Sequence, residues 1–171
     1  PMSWPRATGQ IPVFFGMRPT GRPITPDDYY YTSKYQDVLN TPLFPFGHGL
    51  TYGRMRYEGL QVEPQRLHAQ GELQVSITLH NDGPREAEET AFLFVRRKVS
   101  RVTRPSLELK GFSKLRLAPG QSGRVTFQLP ASELRWLDEH LQLAFEQGEV
   151  DVFVGPSADP TGLQRLTIEL C

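Results

Sequence analysis

Hydrophobic and polar residues alternate along most of the chain after residue 55. In the stretch ELQVSITLHNDG, four apolar residues are separated by polar ones, which is the period of a β-strand with one buried face. Three later stretches alternate in the same way. The four sets of apolar positions are Leu73, Val75, Ile77 and Leu79; Val125, Phe127 and Leu129; Val150, Val152 and Val154; and Leu166, Ile168 and Leu170. The pattern predicts a strand at each place.

The remaining elements complete a β-sandwich. The run TAFLFVRRKV is apolar on both faces at its centre, which is typical of a central strand, and a turn is predicted before it at residues 81–84. LELKGFSKLRLAPG predicts a strand with a bulge at Gly111. Further strands are predicted at RMRYEGLQV and near LQLAFE, and ASELRWL indicates a short helical turn. About seven or eight strands separated by turn signals predict an all-β, immunoglobulin-like sandwich.

The first 54 residues have almost no such periodicity. Nine of the fifteen prolines lie before residue 65, together with the tyrosine-rich stretch DDYYYTSKY. A segment of this length without regular structure is uncommon in a compact domain that stands alone. We therefore expect a mostly irregular N-terminal extension that packs on a surface outside this chain.

The stretch TPLFPFGHGLTYGRM, from Thr41 to Met55, combines glycines, prolines and bulky rings. Glycine adopts backbone conformations that other residues avoid, proline fixes φ, and large rings favour close packing. A flexible tether would be rich in glycine and serine without bulky rings. The combination predicts a rigid, irregular turn that joins two structural units.

Composition narrows the choice of partners. The 171 residues include 19 basic and 19 acidic ones, so no net charge attracts the chain to nucleic acid or to an anionic membrane. Cys171 is the only cysteine, which excludes an internal disulfide and a cysteine-based metal site. The sequence lacks the features of a signal peptide and any run of 18 apolar residues. We predict no nucleic-acid or membrane partner, and we expect the chain to be part of a larger protein.

Motifs of the common catalytic and cofactor sites are missing from the sequence. No G-x-S-x-G nucleophile elbow occurs, and the spacing of Gly47, Gly49 and Gly53 does not fit a dinucleotide fingerprint. The four histidines, at positions 48, 68, 80 and 140, are scattered without ligand spacing. The sequence predicts no cofactor and no metal site.

Carboxylates need separate attention, because a glycosidase requires only two. Asp27 and Asp28 precede the tyrosine-rich stretch, where an acid beside stacking rings would suit a sugar, but a helix cap or turn is the favoured explanation. Glu86, Glu88 and Glu89 open a strand, where we expect solvated charges. We predict no catalytic residue in this chain. The strand aromatics are expected in the core, namely Phe92, Phe94, Phe112, Phe127, Trp136 and Phe153.

Four stretches resemble one known family in the same order and over nearly the whole chain. They are PRATGQIPVFF with PTGRP, YTSKYQDVLNTPLFPFGHGLTY, SRVTRPSLELKGFSKLRLAPGQS and GEVDVFVGPSA. The chain resembles the C-terminal end of the β-glucosidases and β-xylosidases of glycoside hydrolase family 3 that carry a fibronectin type III-like domain. The bacterial periplasmic β-glucosidases are the most similar branch, so the resemblance favours a periplasmic or secreted location.

The resemblance implies a division of the chain into three parts. Residues 1–40 would be the tail of a preceding α/β sandwich domain, residues 41–54 the connector, and residues 55–171 the fibronectin type III-like domain. Two positions depart from the family pattern. His48 stands where the family often has tyrosine, and Lys34 stands where it often has arginine, whose bidentate contacts lysine cannot reproduce.

The resemblance also implies an activity that belongs to a larger protein. The family hydrolyses β-glucosides or β-xylosides with retention, through an aspartate nucleophile and a glutamate acid/base that both lie upstream of the matched region. The resemblance therefore implies an inactive C-terminal part whose partners are the upstream catalytic domains and whose contact with substrate is indirect. Two alternatives remain: an independent carbohydrate- or protein-binding module, and a small enzyme that uses Asp27 or Asp28 with a sandwich carboxylate.

If residues 1–50 pack on missing domains, their apolar side chains should be exposed in this chain alone. Exposed apolar surface promotes association. We therefore expect self-association of the isolated chain or local disorder of the extension. The residues concerned are Ile11, Val13, Phe14, Phe15, Leu43, Phe44 and Phe46.

Overall fold

The computed structural model describes residues 2–19, 34, 35 and 37–171. Its regular structure is almost entirely β, as predicted. The described residues form ten strands: β1 (Met55–Glu63), β2 (Arg66–Leu67), β3 (Glu72–Asn81), β4 (Ala87–Arg97), β5 (Glu108–Leu117), β6 (Ser122–Pro130), β7 (Trp136–Leu137), β8 (Leu143–Ala144), β9 (Gly148–Gly155) and β10 (Gln164–Leu170). Three short 3₁₀ helices cover Thr8–Gln10, Ala131–Leu134 and Pro160–Gly162.

Two sheets form the sandwich. One has three strands in the order β1-β3-β6, and the other has five in the order β2-β10-β9-β4-β5. All pairs within them are antiparallel except β2 and β10, which run parallel. Strands β7 and β8 form a separate short hairpin. The predicted all-β sandwich is confirmed, with seven long strands.

The core between the sheets is built from the alternating positions. The inward residues of β3, β6 and β9 are buried at every predicted position, while those of β10 are buried except for the half-buried Leu166. Burial of an aliphatic or aromatic side chain contributes about 1.5–3 kcal/mol. The alternation therefore selects which face of each strand meets the opposite sheet.

Strand β4 is central and is buried on both faces, as its sequence predicts. Ala91, Leu93 and Val95 belong to the core between the sheets. Phe92 and Phe94 point the other way, into a second apolar cluster on the outer face of the five-stranded sheet. This outer cluster is what positions the N-terminal extension.

Some of the local irregularities in the strands and turns were predicted from the sequence and others were not. The predicted bulge at Gly111 is present, because the β4–β5 register shifts there and leaves Lys110 without an opposite partner. A second shift occurs in β1 at Gly59, where φ is +67°, and the sequence reading did not include it. The helical turn predicted at ASELRWL is confirmed at Ala131–Leu134, but Trp136 already belongs to a strand. The strand predicted near LQLAFE is only the two-residue β8.

Asn81 joins three loops at one end of the sandwich. Its Oδ1 accepts from the backbone N–H groups of Gly83 (3.0 Å) and Arg54 (3.3 Å), and its Nδ2 donates to the carbonyl oxygens of Arg85 (2.7 Å) and Leu117 (3.0 Å). The residue is fully buried. Both ends of the amide are thus satisfied, as a buried polar group requires. Asn81 thereby fixes the chain that enters β1 to the turns after β3 and β5.

We expect Asn81→Asp to lower the free energy of unfolding by about 2–4 kcal/mol, because a carboxylate oxygen would replace the amide donor and face two carbonyl oxygens in a buried site. Urea unfolding followed by circular dichroism measures this loss. Gln128→Glu is the matched control, since it makes the same exchange at an exposed position of β6 and should change stability by about 0.5 kcal/mol or less. Equal effects of the two substitutions would contradict the assigned role.

Candidate docking surface

Residues 45–48, within the expected connector, form a tight turn. The N–H of His48 donates to the carbonyl oxygen of Pro45 (3.0 Å), and Gly47 has a φ of +86°. A Cβ on Gly47 would lie 2.8 Å from a ring carbon of Phe92 and 3.0 Å from the Cα of Ser157. Glycine is therefore required both by the backbone conformation and by the close approach to the sheet.

Aromatic rings hold the extension against the outer face of the five-stranded sheet. The ring of Phe46 lies 4.6 Å from that of Phe15 and 5.5 Å from that of Phe92, and Phe15 lies 5.5 Å from Phe94. These tilted and edge-to-face arrangements are the favoured geometry of aromatic pairs. The N–H of Ala158 also donates to the carbonyl oxygen of Phe46 (2.8 Å). Two points of the extension are thus anchored on β4 and on the loop after β9.

The two described segments of the extension, residues 2–19 and 37–54, are tied to each other by hydrogen bonds. Trp4 and Phe44 form an isolated antiparallel bridge, with the Trp4 N–H donating to the Phe44 carbonyl at 2.8 Å. Gln10 is buried, and its Nε2 donates to the carbonyl oxygens of Leu39 (2.8 Å) and Thr41 (3.0 Å). The irregular backbone is therefore held in a defined arrangement.

Many large apolar side chains of the extension are exposed. The most exposed aromatic side chain among them is Tyr52, at 81%, and the most exposed aliphatic one is Leu50, at 96%. We call this set the apolar docking surface; it consists of Met2, Trp4, Ile11, Phe14, Met17, Leu39, Leu43, Phe44, Leu50 and Tyr52. Exposed apolar surface of this extent commonly marks an interaction site.

The expected exposure of the extension is only partly found. Ile11, Phe14, Leu43 and Phe44 are exposed, and Val13 is half-buried. Phe15 and Phe46 are also half-buried, because they cover the outer face of this chain's own sheet. The prediction that all seven side chains pack on a surface outside the chain is therefore wrong for Phe15 and Phe46, because local sequence gives no signal for the apolar outer face of β4.

Two corrections concern the strand aromatics. Phe112 was expected in the core, but it is 65% exposed on the edge strand β5. It pairs with Phe92 in the β4–β5 register, so it lies beside the part of the sheet that Gly47 covers. Phe92, Phe94 and Phe153 are buried as expected, but they lie in the outer cluster and not between the sheets.

A groove runs between the extension and the sheet. It has a volume of about 620 Å³ and is open to solvent on one side. Phe14, Phe46, Phe153 and Leu163 line it, together with polar groups such as Arg6. The groove continues the apolar docking surface toward β9, so an extended apolar partner would contact both.

The glutamates at the start of β4 are engaged with their neighbours. Glu88 pairs with Lys114 (2.9 Å), which lowers the pKa of that carboxyl, and Glu86 pairs with Arg116 (3.8 Å). Glu89 is half-buried and accepts from the Tyr57 hydroxyl (3.0 Å), so it is not the solvated charge that the sequence reading expected. Burial raises the pKa of Glu89. Asp27 and Asp28 lie outside the described residues.

The histidines do not converge on a common site. His48 stacks on Phe44 with ring centres 4.7 Å apart, and His80 contacts Ser122 (2.6 Å) and Glu58 (3.3 Å). Among the residues that the structure describes, no three histidine, cysteine or acidic side chains are grouped as metal ligands. No helix within that part of the chain is long and apolar enough to span a membrane.

Family comparison identifies the class of the sandwich. Residues 89–158 match the family model described as Fibronectin type III-like domain. The match covers β4 to β9 and their connections, which include the strand that carries the outer aromatic cluster. The domain is therefore a fibronectin type III-like β-sandwich.

Known proteins resemble the whole chain, including the extension. It is 33% identical over 156 residues to the periplasmic beta-glucosidase of Salmonella typhimurium, and 31% identical over 158 residues to a putative beta-xylosidase of Formosa agariphila. These matches cover 91% and 92% of this chain and 20% of each relative. The crystal structure of a beta-glucosidase from Listeria innocua in complex with glucose matches 98% of this chain at 32% identity, with a TM-score of 0.91, and the match covers 23% of that structure's chain.

The chain therefore spans about a fifth of the length of the relatives that it matches. It resembles the C-terminal region of glycoside hydrolase family 3 β-glucosidases, including their fibronectin type III-like domain. This assignment, made from the sequence motifs, is confirmed.

We expect Gly47→Ala to destabilise the anchored connector by about 2–4 kcal/mol, because the substitution adds strain at positive φ and overlap with Phe92. Hydrogen exchange of the Ala158 amide, which bonds to Phe46, reports whether the connector is displaced, and urea unfolding measures the energy. Gly49→Ala is the control, because a Cβ there meets nothing within 4 Å. Unchanged exchange at Ala158 in the Gly47 variant would show that the turn does not anchor the connector.

Proposed function

We propose that this chain is the C-terminal, non-catalytic part of a retaining β-glucosidase-type hydrolase of family 3, and that its sandwich stabilises the upstream catalytic domains. One observation carries the proposal: the extension packs Phe15 and Phe46 on the sandwich and leaves many of its other large apolar side chains exposed to solvent. A two-sided segment of this kind suits a position between two folded bodies. Residues 1–40 would then belong to the preceding domain, 41–54 to the connector and 55–171 to the terminal domain.

The geometry of the connector supports a rigid joint. Gly47 fits against Phe92 with no room for a Cβ, and a Cβ on Gly53 would come within 2.6 Å of the Ala87 Cβ. Both ends of residues 45–53 are therefore packed on the sandwich. A joint fixed in this way holds a neighbouring domain in one orientation, so little orientational entropy is lost when the two bodies dock.

Catalysis and substrate recognition are assigned to the upstream region. Retaining hydrolysis needs two carboxyl groups about 5 Å apart on either side of the scissile bond. The carboxylates at the start of β4 are instead engaged by Lys114, Arg116 and Tyr57. The relatives include both a beta-glucosidase and a putative beta-xylosidase, so either sugar fits the proposal.

An independent carbohydrate-binding module is the weaker alternative. Such modules present several coplanar aromatic rings on one exposed sheet face, where sugars stack. On the sheets described here, Phe112 is the large aromatic residue that is exposed, while Phe92, Phe94, Phe127 and Phe153 are buried. The exposed aromatic side chains concentrate on the irregular extension instead. That distribution favours a docking role over sugar binding.

Activity measurements test whether catalysis belongs to the upstream region and stabilisation to this chain. The chain alone is expected to release no nitrophenol from nitrophenyl β-glucoside or β-xyloside, whereas the chain joined to its upstream region is expected to be active. In the joined protein, Leu43→Asp with Phe44→Asp should shorten the half-life of activity on heating several-fold, because two charges would be buried at the interface. Leu143→Asp, on the exposed β7–β8 hairpin, is the control. Cleavage by the chain alone would contradict the proposal.

Self-association of the isolated chain is a second expected consequence. Without the upstream domains, the apolar docking surface is exposed. At high concentration, the same surface on a second copy of the chain can cover it. Light scattering during size-exclusion chromatography should therefore give a mass above 19.4 kDa that increases with concentration. Phe44→Asp should return the chain to a monomer, while Leu143→Asp should not. A wild-type chain that stays monomeric at millimolar concentration would count against an interface of this kind.

A further inference from the structure

The end of β4 and the loop that joins it to β5 carry an unusual density of positive charge. Five of the nine residues from Arg96 to Arg104 are arginine or lysine, although the whole chain has equal numbers of basic and acidic residues. A groove of about 570 Å³ follows this loop. The side chains that line it include all five cations and the hydroxyls of Ser100, Thr103 and Ser106, but no carboxylate. We call it the basic groove.

Carboxylates outside the groove compensate only some of these cations. Arg96 pairs with the buried Asp151 (2.7 Å), and Lys98 pairs with Glu149 (3.1 Å). Arg97 and Arg104 share a single carboxylate, Glu146, at 3.7 and 3.4 Å. Three carboxylates thus serve four cations. Arg101, the fifth cation, is exposed and has no ion pair among the residues that the structure describes.

Hydrogen bonds to the β7–β8 hairpin and to the start of β9 hold the loop in place. Arg104 donates to the carbonyl oxygen of Leu137 (2.6 Å) and to the Ser100 hydroxyl (2.9 Å), and the Ser100 hydroxyl donates to Glu146 (2.9 Å). Arg97 donates to the carbonyl oxygens of Gln147 and Gly148, and its Nε is buried without a hydrogen-bond partner. Such a scaffold presents the exposed loop residues in one conformation, which reduces the entropy lost on binding.

Acidic residues on the far side of the loop are already engaged. Asp138 and Glu139 line a neighbouring groove that Arg101 also borders. The Asp138 carboxylate accepts from the backbone N–H groups of His140 (2.8 Å) and Gln142 (2.9 Å), and Glu139 pairs with the His140 ring at 3.6 Å. Neither forms an ion pair with Arg101. Arg101 therefore borders both grooves without an ion pair to either of these acids.

The basic groove is continuous with the apolar docking surface. The N–H of Ser106, at the end of the loop, donates to the carbonyl oxygen of Met17 (2.9 Å), and Met17 belongs to the apolar docking surface. Pro19, two residues further along the extension, lines the basic groove itself. A body that covers the extension would therefore also reach the groove.

We propose that the basic groove docks an acidic segment of the upstream polypeptide, with Arg101 as its exposed contact. This inference rests on the proposed function, because it takes the upstream domains as the partner. It adds a charged contact of defined chemistry to the apolar one. Charged contacts at the rim of an interface steer association and fix orientation more than they add affinity, so the groove would set how the sandwich is placed on its partner.

The test measures binding between this chain and a separately produced upstream region by isothermal titration calorimetry at 50, 150 and 400 mM NaCl. We expect Arg101→Ala to weaken binding about two- to five-fold at 50 mM NaCl and to reduce the dependence on salt, as expected for loss of an exposed ion pair. Arg66→Ala is the control, because Arg66 is an exposed arginine on β2 that lines neither groove. Thermal unfolding of both variants should match the wild type.

The outcomes separate this inference from the proposed function. Binding that is insensitive to salt, or equally affected by Arg101→Ala and Arg66→Ala, would overturn the assignment of the groove and leave the apolar contact intact. Absence of any binding to the upstream region would overturn both. Self-association of the chain that depends on Arg101 would assign the groove to a second copy, and would likewise contradict the proposal.

Discussion

The two-sided burial of β4 determines the rest of this structure. Ala91, Leu93 and Val95 face the core between the sheets, so Phe92 and Phe94 must face outward on the opposite side of the same strand. An outer face that carries two phenylalanines is costly to leave in water, since each buried ring contributes about 1.5–3 kcal/mol. The fold covers that face with Phe15 and Phe46 of the extension. The sandwich and the irregular extension are therefore one packed unit, although their sequences have quite different patterns.

This packing gives the extension two unlike faces. A segment without regular strands cannot bury a continuous core of its own, so only side chains aimed at the sheet are covered. The remainder, such as Trp4 and Leu50, stays exposed. The backbone is still well ordered by hydrogen bonds, through Gln10 to Leu39 and Thr41 and through the Trp4–Phe44 bridge. An ordered apolar surface differs from a disordered one in that a partner can bind it without a large loss of conformational entropy.

The sequence predicts the sandwich much better than the surface that extends from it. Strand positions follow from local alternation, and the buried faces of β3, β6 and β9 match it residue by residue. The family motifs likewise predict the relatives. The surface features that the sequence did not predict depend on contacts between residues far apart in the chain. Phe112 has the same pattern as a core residue, but β5 is an edge strand and nothing described covers its outer face there. Arg97 and Arg104 meet Glu146 more than 40 residues away, and Phe46 meets Phe92 across a similar distance in sequence. No local periodicity reports such pairs.

The same long-range contacts explain why the orientation of the extension is set twice. Gly47 packs on Phe92, and Asn81 accepts a hydrogen bond from the backbone N–H of Arg54, which is the last residue of the extension and lies 27 residues before Asn81. A single anchor would leave the connector free to rotate about that point. Two anchors, one at each end of a short segment, restrict the segment to one orientation. The loop after β4 is connected to the same extension through Ser106 and Met17. Phe92 and Ser106 belong to β4 and to the loop after it, so displacement of the five-stranded sheet would move the apolar docking surface and the basic groove together, while Asn81 ties the extension to β3 of the three-stranded sheet. A rigid sandwich is therefore the part of the chain on which any defined placement of a neighbouring domain depends.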